Sequence, residues 1–329
     1  MSLPQTSYLC IPGWGEEVDG VTVDPIVAGD GVDSIDNDEG VCTSALSNYS
    51  TINADSAATD VEFTTALDFN PLDVGYDGLY TVALIGVRIL PSTVDTVVRC
   101  ALTAGSMTYQ SAAAIYGQDM TRVLPVGEEG HQLLGSGLAN IIFHDLPAAA
   151  IDAVTFALTP DSGSLASAQI RIGSIFVGLQ IPFASNPGTW NWSSEVVNQQ
   201  HTSRAIGNFS GDGVVRRAVS FEVTKTELEG LTGIGTGFYS GSPPVPNIFR
   251  ASLASVGAPM LLSPYPYAVN DAWGDSPENG EITQRLRSVR QNFFSIYGLL
   301  DRRTEVGMRE FNDGLNSEYR ARLRYAEIR

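Results

Sequence analysis

Between Gly78 and Pro91 the chain reads Gly-Leu-Tyr-Thr-Val-Ala-Leu-Ile-Gly-Val-Arg-Ile-Leu-Pro, an apolar run rich in β-branched residues and closed by a proline. Such a run reads as a buried strand. The stretch Thr93–Thr103 reads the same way. Shorter runs at Asn140–Phe143, Ala153–Leu158, Gln169–Ile172 and Ser174–Ile181 are parted by Pro, Gly, Ser and Asp at the spacing of an antiparallel sandwich. The expected fold class is therefore mainly β: a jelly-roll-like β-sandwich up to about Phe183, followed by a second β-rich domain of β-barrel or α+β type.

The turn-rich stretch Ala184-Ser-Asn-Pro-Gly-Thr-Trp-Asn-Trp interrupts the strand pattern and places a domain boundary between residues 1–183 and 184–329. Beyond it, strands are expected at Val214–Val223 and Met260-Leu-Leu, a short helix at Thr226–Leu231, and a Gly/Ser/Pro loop over Gly233–Pro246. Leu286, Val289, Phe293, Ile296, Tyr297 and Leu300 fall at helical spacing, which predicts a helix over 286–300. After Asn316, Tyr319, Ala321, Leu323 and Tyr325 alternate with Arg320, Arg322 and Arg324, the pattern of a strand with one apolar and one basic face.

Hydrophobic residues make up 43% of the 329, enough for real cores. Charged residues are only 17%, below the roughly 25% of ordinary soluble proteins, so much of the surface is neutral and polar, which suits permanent neighbours. A net charge of −18 argues against nucleic-acid wrapping, since that needs phosphate neutralisation. No Lys or Arg precedes Arg88, whereas 15 Asp and Glu do; from Arg285 to Arg329 there are 10 Arg against 6 acids. Contacts between copies are one use for such asymmetry. The opening Met-Ser-Leu-Pro-Gln-Thr lacks the features of a signal peptide, and no segment approaches the roughly 18 apolar residues of a membrane span, so synthesis in the cytoplasm without membrane insertion is expected. Cys10, Cys42 and Cys100 are odd in number and widely spaced, and are expected to be buried, reduced thiols.

Motifs for chemistry are mostly missing. The single lysine, Lys225, has no glycine just before it, so there is no phosphate-binding loop. Gly233-Ile-Gly-Thr-Gly misses the dinucleotide spacing, and there is no Gly-x-Ser-x-Gly elbow. The histidines, His131, His144 and His201, lack the i, i+4 pairing of a zinc helix. His144 precedes Asp145, but neighbours in a regular strand point to opposite faces, which argues against a base and its orienter. Neither a cofactor nor a catalytic residue is expected. A polysaccharide depolymerase stays as the enzymatic alternative, because carboxylate pairs meet in space and not in sequence.

Three groups are candidate sites. Asp33, Asp36, Asp38 and Glu39 lie in an acidic stretch that is either a weak calcium site or a solvated loop, without the EF-hand register. Trp190 and Trp192 would share one strand face, with Tyr265, Tyr267 and Trp273 near prolines; these aromatics either stack on sugar rings or pack a domain junction. Arg320, Arg322 and Arg324 either form a solvated edge strand or meet carboxylates of a neighbouring copy.

The segments Ala168-Gln-Ile-Arg-Ile-Gly-Ser-Ile-Phe-Val-Gly-Leu-Gln-Ile-Pro, Asn186-Pro-Gly-Thr-Trp, Arg216-Arg-Ala-Val-Ser-Phe and Ser295-Ile-Tyr-Gly-Leu-Leu resemble tail proteins of long-tailed bacteriophages, siphophage minor tail proteins with a carbohydrate-binding-type jelly roll. The resemblance covers about half of the chain. It implies a virion structural protein, a tail or baseplate building block assembling into a ring, whose partners are other copies and other phage tail proteins. It also implies that the Ile-Tyr-Gly segment is a strand, against the helical spacing. The alternatives are a module that binds a host surface glycan and a capsid decoration protein.

Overall fold

The computed structural model describes residues 7–12, 22–42, 48–68, 79–90, 97–110, 115–116, 139–147, 153–160, 163–183, 190–197, 200–203, 207–210, 214–223, 259–263, 295–301, 305–310 and 317–328. The expected helix at Thr226–Leu231 and loop at Gly233–Pro246 lie outside them.

In chain order the first strands are β1 Tyr8–Ile11, β2 Thr22–Val23, β3 Val27–Ala28, β4 Val32–Asp36, β5 Ser50–Ala54, β6 Val61–Asp68 and β7 Leu79–Leu90. They are followed by β8 Val97–Ala104, β9 Met107–Gln110, β10 Ile115–Tyr116, β11 Ala139–Pro147, β12 Ala153–Pro160, β13 Gln169–Ile172 and β14 Ser174–Pro182. The last are β15 Trp190–Val197, β16 Gln200–Ser203, β17 Gly207–Ser210, β18 Val214–Val223, β19 Met260–Ser263, β20 Ile296–Leu300, β21 Glu305–Glu310 and β22 Ser317–Glu327. One 3₁₀ turn, Gly40–Cys42, is the helical element among the described residues. The fold is mainly β, with antiparallel sheets in a sandwich-like arrangement. The helix expected over 286–300 is a strand where the chain is described: β20 pairs with β19 and β22, and Ile296 and Tyr297 are buried on opposite faces. A strand covered on both faces loses its alternation, and its apolar residues then fall at helical spacing by coincidence.

A 13-stranded sheet follows the order β15-β18-β22-β20-β19-β1-β14-β7-β13-β5-β4, with β11 added to β7 and β21 to β22. A 7-stranded sheet built on β10-β8-β12-β6-β2 covers part of it. The main core lies between them. Tyr80, Val82 and Leu84 of β7, Ile141 and Phe143 of β11, and Val177 and Leu179 of β14 meet Phe63, Leu102 and Phe156 from the smaller sheet. Phe156 is the register partner of Phe63, their rings stack at 5.1 Å, and Phe143 approaches Phe156 at 6.1 Å. Each such buried side chain stabilises the fold by roughly 1.5–3 kcal/mol relative to exposure.

Two bulges set which residues face this core. Ile85 and Gly86 of β7 together oppose Asn140, because the register passes from Leu84↔Ile141 to Val87↔Ala139. Gly86 takes φ 68, a left-handed value open to glycine at little cost, and its N–H donates to Asn140 Oδ1 at 3.2 Å. The extra residue reverses the parity of β7, so Val87 and Ile89 continue the core after Leu84. In β11, His144 and Asp145 together oppose Thr81, with Asp145 at φ 64.

The boundary drawn at 183/184 is crossed by hydrogen bonding. β1 pairs with β14 through Tyr8↔Pro182 to Ile11↔Leu179, and on its other edge with β19 through Tyr8↔Ser263 to Cys10↔Leu261. The core crosses it too, since Leu9, Ile11, Phe221, Leu262, Leu323 and Tyr325 belong to the same buried cluster as Leu84 and Phe156. The acidic stretch before Gly78, whose role the composition left open, supplies β1 and the strands β2 to β6.

Candidate functional site

The face of the large sheet turned away from the smaller one carries a second buried apolar cluster, formed by Ala83, Ile85, Ile142, Phe176, Leu261 and Tyr297 together with Tyr8 and Cys10. Phe176 meets Tyr297 edge-on at 5.8 Å. Gly178 is required beneath that ring: a Cβ there would lie 2.6 Å from Phe176 Cζ and 2.7 Å from the Ile11 carbonyl.

On the same face, polar side chains from five strands converge. Gln180 of β14 brackets Asp145: its Nε2 donates to Oδ1 at 2.8 Å, and its Oε1 accepts the Asp145 backbone N–H at 3.0 Å. That bracket fixes the amide, since the flipped form would set carbonyl against carboxylate. Thr81 of β7 then donates its hydroxyl to Gln180 Oε1 at 3.0 Å and accepts the Cys10 thiol of β1 at 3.2 Å. With the Thr81 proton committed, His144 Nδ1, at 3.1 Å, is the donor to Thr81, and Nε2 accepts from the Ser263 hydroxyl of β19 at 3.2 Å. The Tyr8 ring lies 5.1 Å from the imidazole.

Burial governs the charge states. It pulls the His144 pKa down to about 4, although Asp145 and Gln180 act in the opposite direction. It pushes Cys10 up to about 12, with the Thr81 bond opposing and Asp145 adding to the rise, and Tyr8 up to about 12. Thiol and imidazole are both neutral at pH 7. Nucleophilic catalysis needs the thiolate, and nothing here generates it. Closed inward, these groups instead tie β1, β7, β11, β14 and β19 together with satisfied buried hydrogen bonds.

The other sequence-derived candidates are dispersed. Trp190 and Trp192 do share one face of β15, stacked at 6.5 Å and 24°, half-buried against the main core. Trp190 packs edge-on to Phe183 at 5.7 Å and lies 4.9 Å from Phe221, so it bridges the two sides of the 183/184 boundary. Tyr265, Tyr267 and Trp273 lie outside the described residues, as does His131. Asp36 accepts a hydrogen bond from Asn53 Nδ2 at 3.0 Å, while Asp33, Asp38 and Glu39 are exposed. Among the described residues no group of three His, Cys, Asp or Glu side chains is placed to hold a metal.

From Ala321 to Ala326 β22 is not an edge strand, which corrects the solvated-edge alternative for Arg322 and Arg324: it pairs there with β18 on one side and with β20 or β21 on the other. The alternation does hold, with Leu323 and Tyr325 buried and Arg322 exposed. Arg324 Nε donates to Asp301 at 3.0 Å and Arg322 to Ser220 Oγ at 3.2 Å, both within the chain. Arg320 lies on β22 opposite Gly307. Arg217 of β18, not singled out from the sequence, closes on Glu327 through Nε at 3.0 Å and through its backbone N–H at 3.1 Å. Of the three thiols expected to be buried, Cys10 and Cys100 are buried and Cys42 is exposed.

The sequence-level objection to pairing His144 with Asp145 assumed a regular strand. The bulge removes that assumption, and Gln180, separated from it by 35 residues, fixes the Asp145 carboxylate, whose charge acts on the imidazole. No glycine or proline at the bulge signals it. Compared with protein-family models, curated proteins and solved structures, the chain matches none.

Proposed function

We propose that the chain is a structural protein of a virus particle, a tail or baseplate building block of a tailed bacteriophage that assembles as a ring. The observation that carries this reading is the position of β1, hydrogen-bonded to β14 on one edge and β19 on the other, which makes one sheet of strands from both halves of the chain. A part that transmits force or holds a neighbour in place benefits from such continuity. The low charge and the acidic beginning set against a basic end support it further, because rings use heterologous contacts in which one patch meets a different one. Arg320, Arg322 and Arg324 are the proposed basic side of that contact, with Arg322 and Arg324 already oriented by partners on β18 and after β20. The test is native mass spectrometry of the purified chain together with immunogold labelling of particles. Rings and label on the tail are expected; a monomer at every concentration with no copy in the virion would overturn the reading, and label on the head would make it a capsid decoration protein.

A second reading, binding of a host surface glycan, is favoured by one observation: the stacked, half-exposed Trp190 and Trp192. The packing of Trp190 on Phe183 and Phe221 supports the structural role instead. Changing both to Ala separates the two. Loss of thermal stability favours the junction, and unchanged stability with lost binding on a glycan array favours the platform.

A further inference from the structure

Away from the buried network, the pairings at the β4 end of the large sheet create an ordered polar face. Asp36↔Thr51, Thr51↔Arg171 and Arg171↔Arg88 form one cross-strand row, and Ser34↔Asn53↔Gln169 form the next. The alternate residues Ile52, Ile89 and Ile170 are buried in the core, so the rows point away from it. Their side chains are already linked: Asn53 Nδ2 reaches Ser34 Oγ at 3.1 Å and Asp36 Oδ2 at 3.0 Å, and Gln169 Nε2 reaches Asn53 Oδ1 at 3.1 Å.

The two arginines are the unusual part. Like charges directly opposite each other across a strand pair are destabilising, and the chain has 37 acids against 19 bases with which to relieve them. Arg217 and Arg324 each close on a carboxylate; among the described residues, Arg88 and Arg171 do not. The Arg171 guanidinium carbon instead lies over the Tyr49 ring, 4.8 Å from its centroid, and its buried Nε has no hydrogen-bond partner among the described residues. Arg88 is exposed beside it.

We propose that this face of β4, β5 and β13, with Arg88 of β7, binds an acidic saccharide whose carboxylate sits between Arg88 and Arg171. A guanidinium fork matches a carboxylate bidentately, and an anion there removes the repulsion between the two arginines. Asn53, Gln169 and Ser34 supply donors and acceptors for ring hydroxyls, and Tyr49, 39% exposed, offers apolar surface for a sugar's C–H face. Asp36, in the same row, accepts from hydroxyls and disfavours a phosphate dianion more than a carboxylate monoanion. The site is separate from Trp190 and Trp192, and its failure would leave the assembly reading standing.

The experiment is calorimetric titration of the full chain with a hyaluronan hexasaccharide, which carries a glucuronate in every repeat, beside neutral maltohexaose. Saturable, salt-sensitive binding of the uronate oligosaccharide is expected, with maltohexaose and the Arg88→Gln/Arg171→Gln variant each weaker by about tenfold or more. Circular dichroism checks the fold of that variant. If it is lost, Arg88→Gln alone, at an exposed position, provides the comparison. No saturable binding, binding unchanged in the variant, or a dimer of the free chain that the variant abolishes, which would give the arginines to acids of a second copy, each overturns the proposal.

Discussion

Gln180 holds Asp145 at two points, side chain to side chain at 2.8 Å and side chain to backbone at 3.0 Å, across 35 residues of sequence. The same amide oxygen takes the Thr81 hydroxyl. Gln180→Leu keeps the volume but leaves the Asp145 N–H and the Thr81 hydroxyl with one acceptor fewer inside the sheet face. A loss of about 1–3 kcal/mol in urea unfolding is expected. A midpoint within error of the unaltered chain would mean that water replaces the amide.

His144 makes the fold sensitive to acid. Its folded pKa, about 4, lies below the ordinary value of 6.5, so between those values the unfolded chain takes up a proton that the folded chain refuses. Its contribution is complete above pH 6.5 and is lost as pH falls toward 4. The loss is on the order of 3 kcal/mol at most. Urea midpoints across that range should fall more steeply for the unaltered chain than for His144→Gln, which cannot titrate. Parallel profiles would refute this.

The three thiols should differ in reactivity. Cys10 and Cys100 are buried, with both pKa values pushed up by desolvation. Cys42 is exposed, yet its pKa is also raised, by partial desolvation and by Glu39, Asp24 and Asp38. A disulfide reagent should modify one thiol in the native chain and three in denaturant, and the native reaction should accelerate with added salt, which screens those carboxylates. Modification of more than one native thiol would contradict the burial.

How far these features were legible follows from the physics of each element. β7 and β12 to β14 announced themselves through runs of β-branched residues, and β22 through strict alternation of Arg with Tyr and Leu. β20 misled because both of its faces are covered. The His144–Asp145 pair was hidden by a bulge that a non-glycine residue bears at φ 64. The network itself joins residues 71, 99 and 119 positions apart, a distance no local pattern spans. The row of Arg88 and Arg171 is equally invisible, because it exists only through strand register.

Two glycines should respond to the same change to different degrees. A Cβ on Gly298 of β20 would come 2.2 Å from the Ala326 carbonyl oxygen, a backbone atom of the paired strand that cannot swing aside. Gly298→Ala should cost roughly 1–3 kcal/mol or more through forced separation of β20 and β22. At Gly163 a Cβ meets nothing within 4 Å, so only its φ of +81 resists and Gly163→Ala should cost about 1 kcal/mol. Thermal unfolding of both variants makes the comparison, and equal losses would count against the tight β20–β22 approach.

The place of β1 between β14 and β19 also dictates an order of events during synthesis. Tyr8 leaves the ribosome well before either of its register partners, Pro182 on one edge and Ser263 on the other. The large sheet cannot close until the ribosome has passed Ser263, and contacts of such long sequence separation make closure slow. Until then β1 keeps at least one unpaired edge and a wholly apolar sequence, Tyr-Leu-Cys-Ile, open to whatever else is in the cell. Chains stopped before Ser263 should therefore be aggregation-prone, with nascent polypeptides kept waiting for a strand that arrives late.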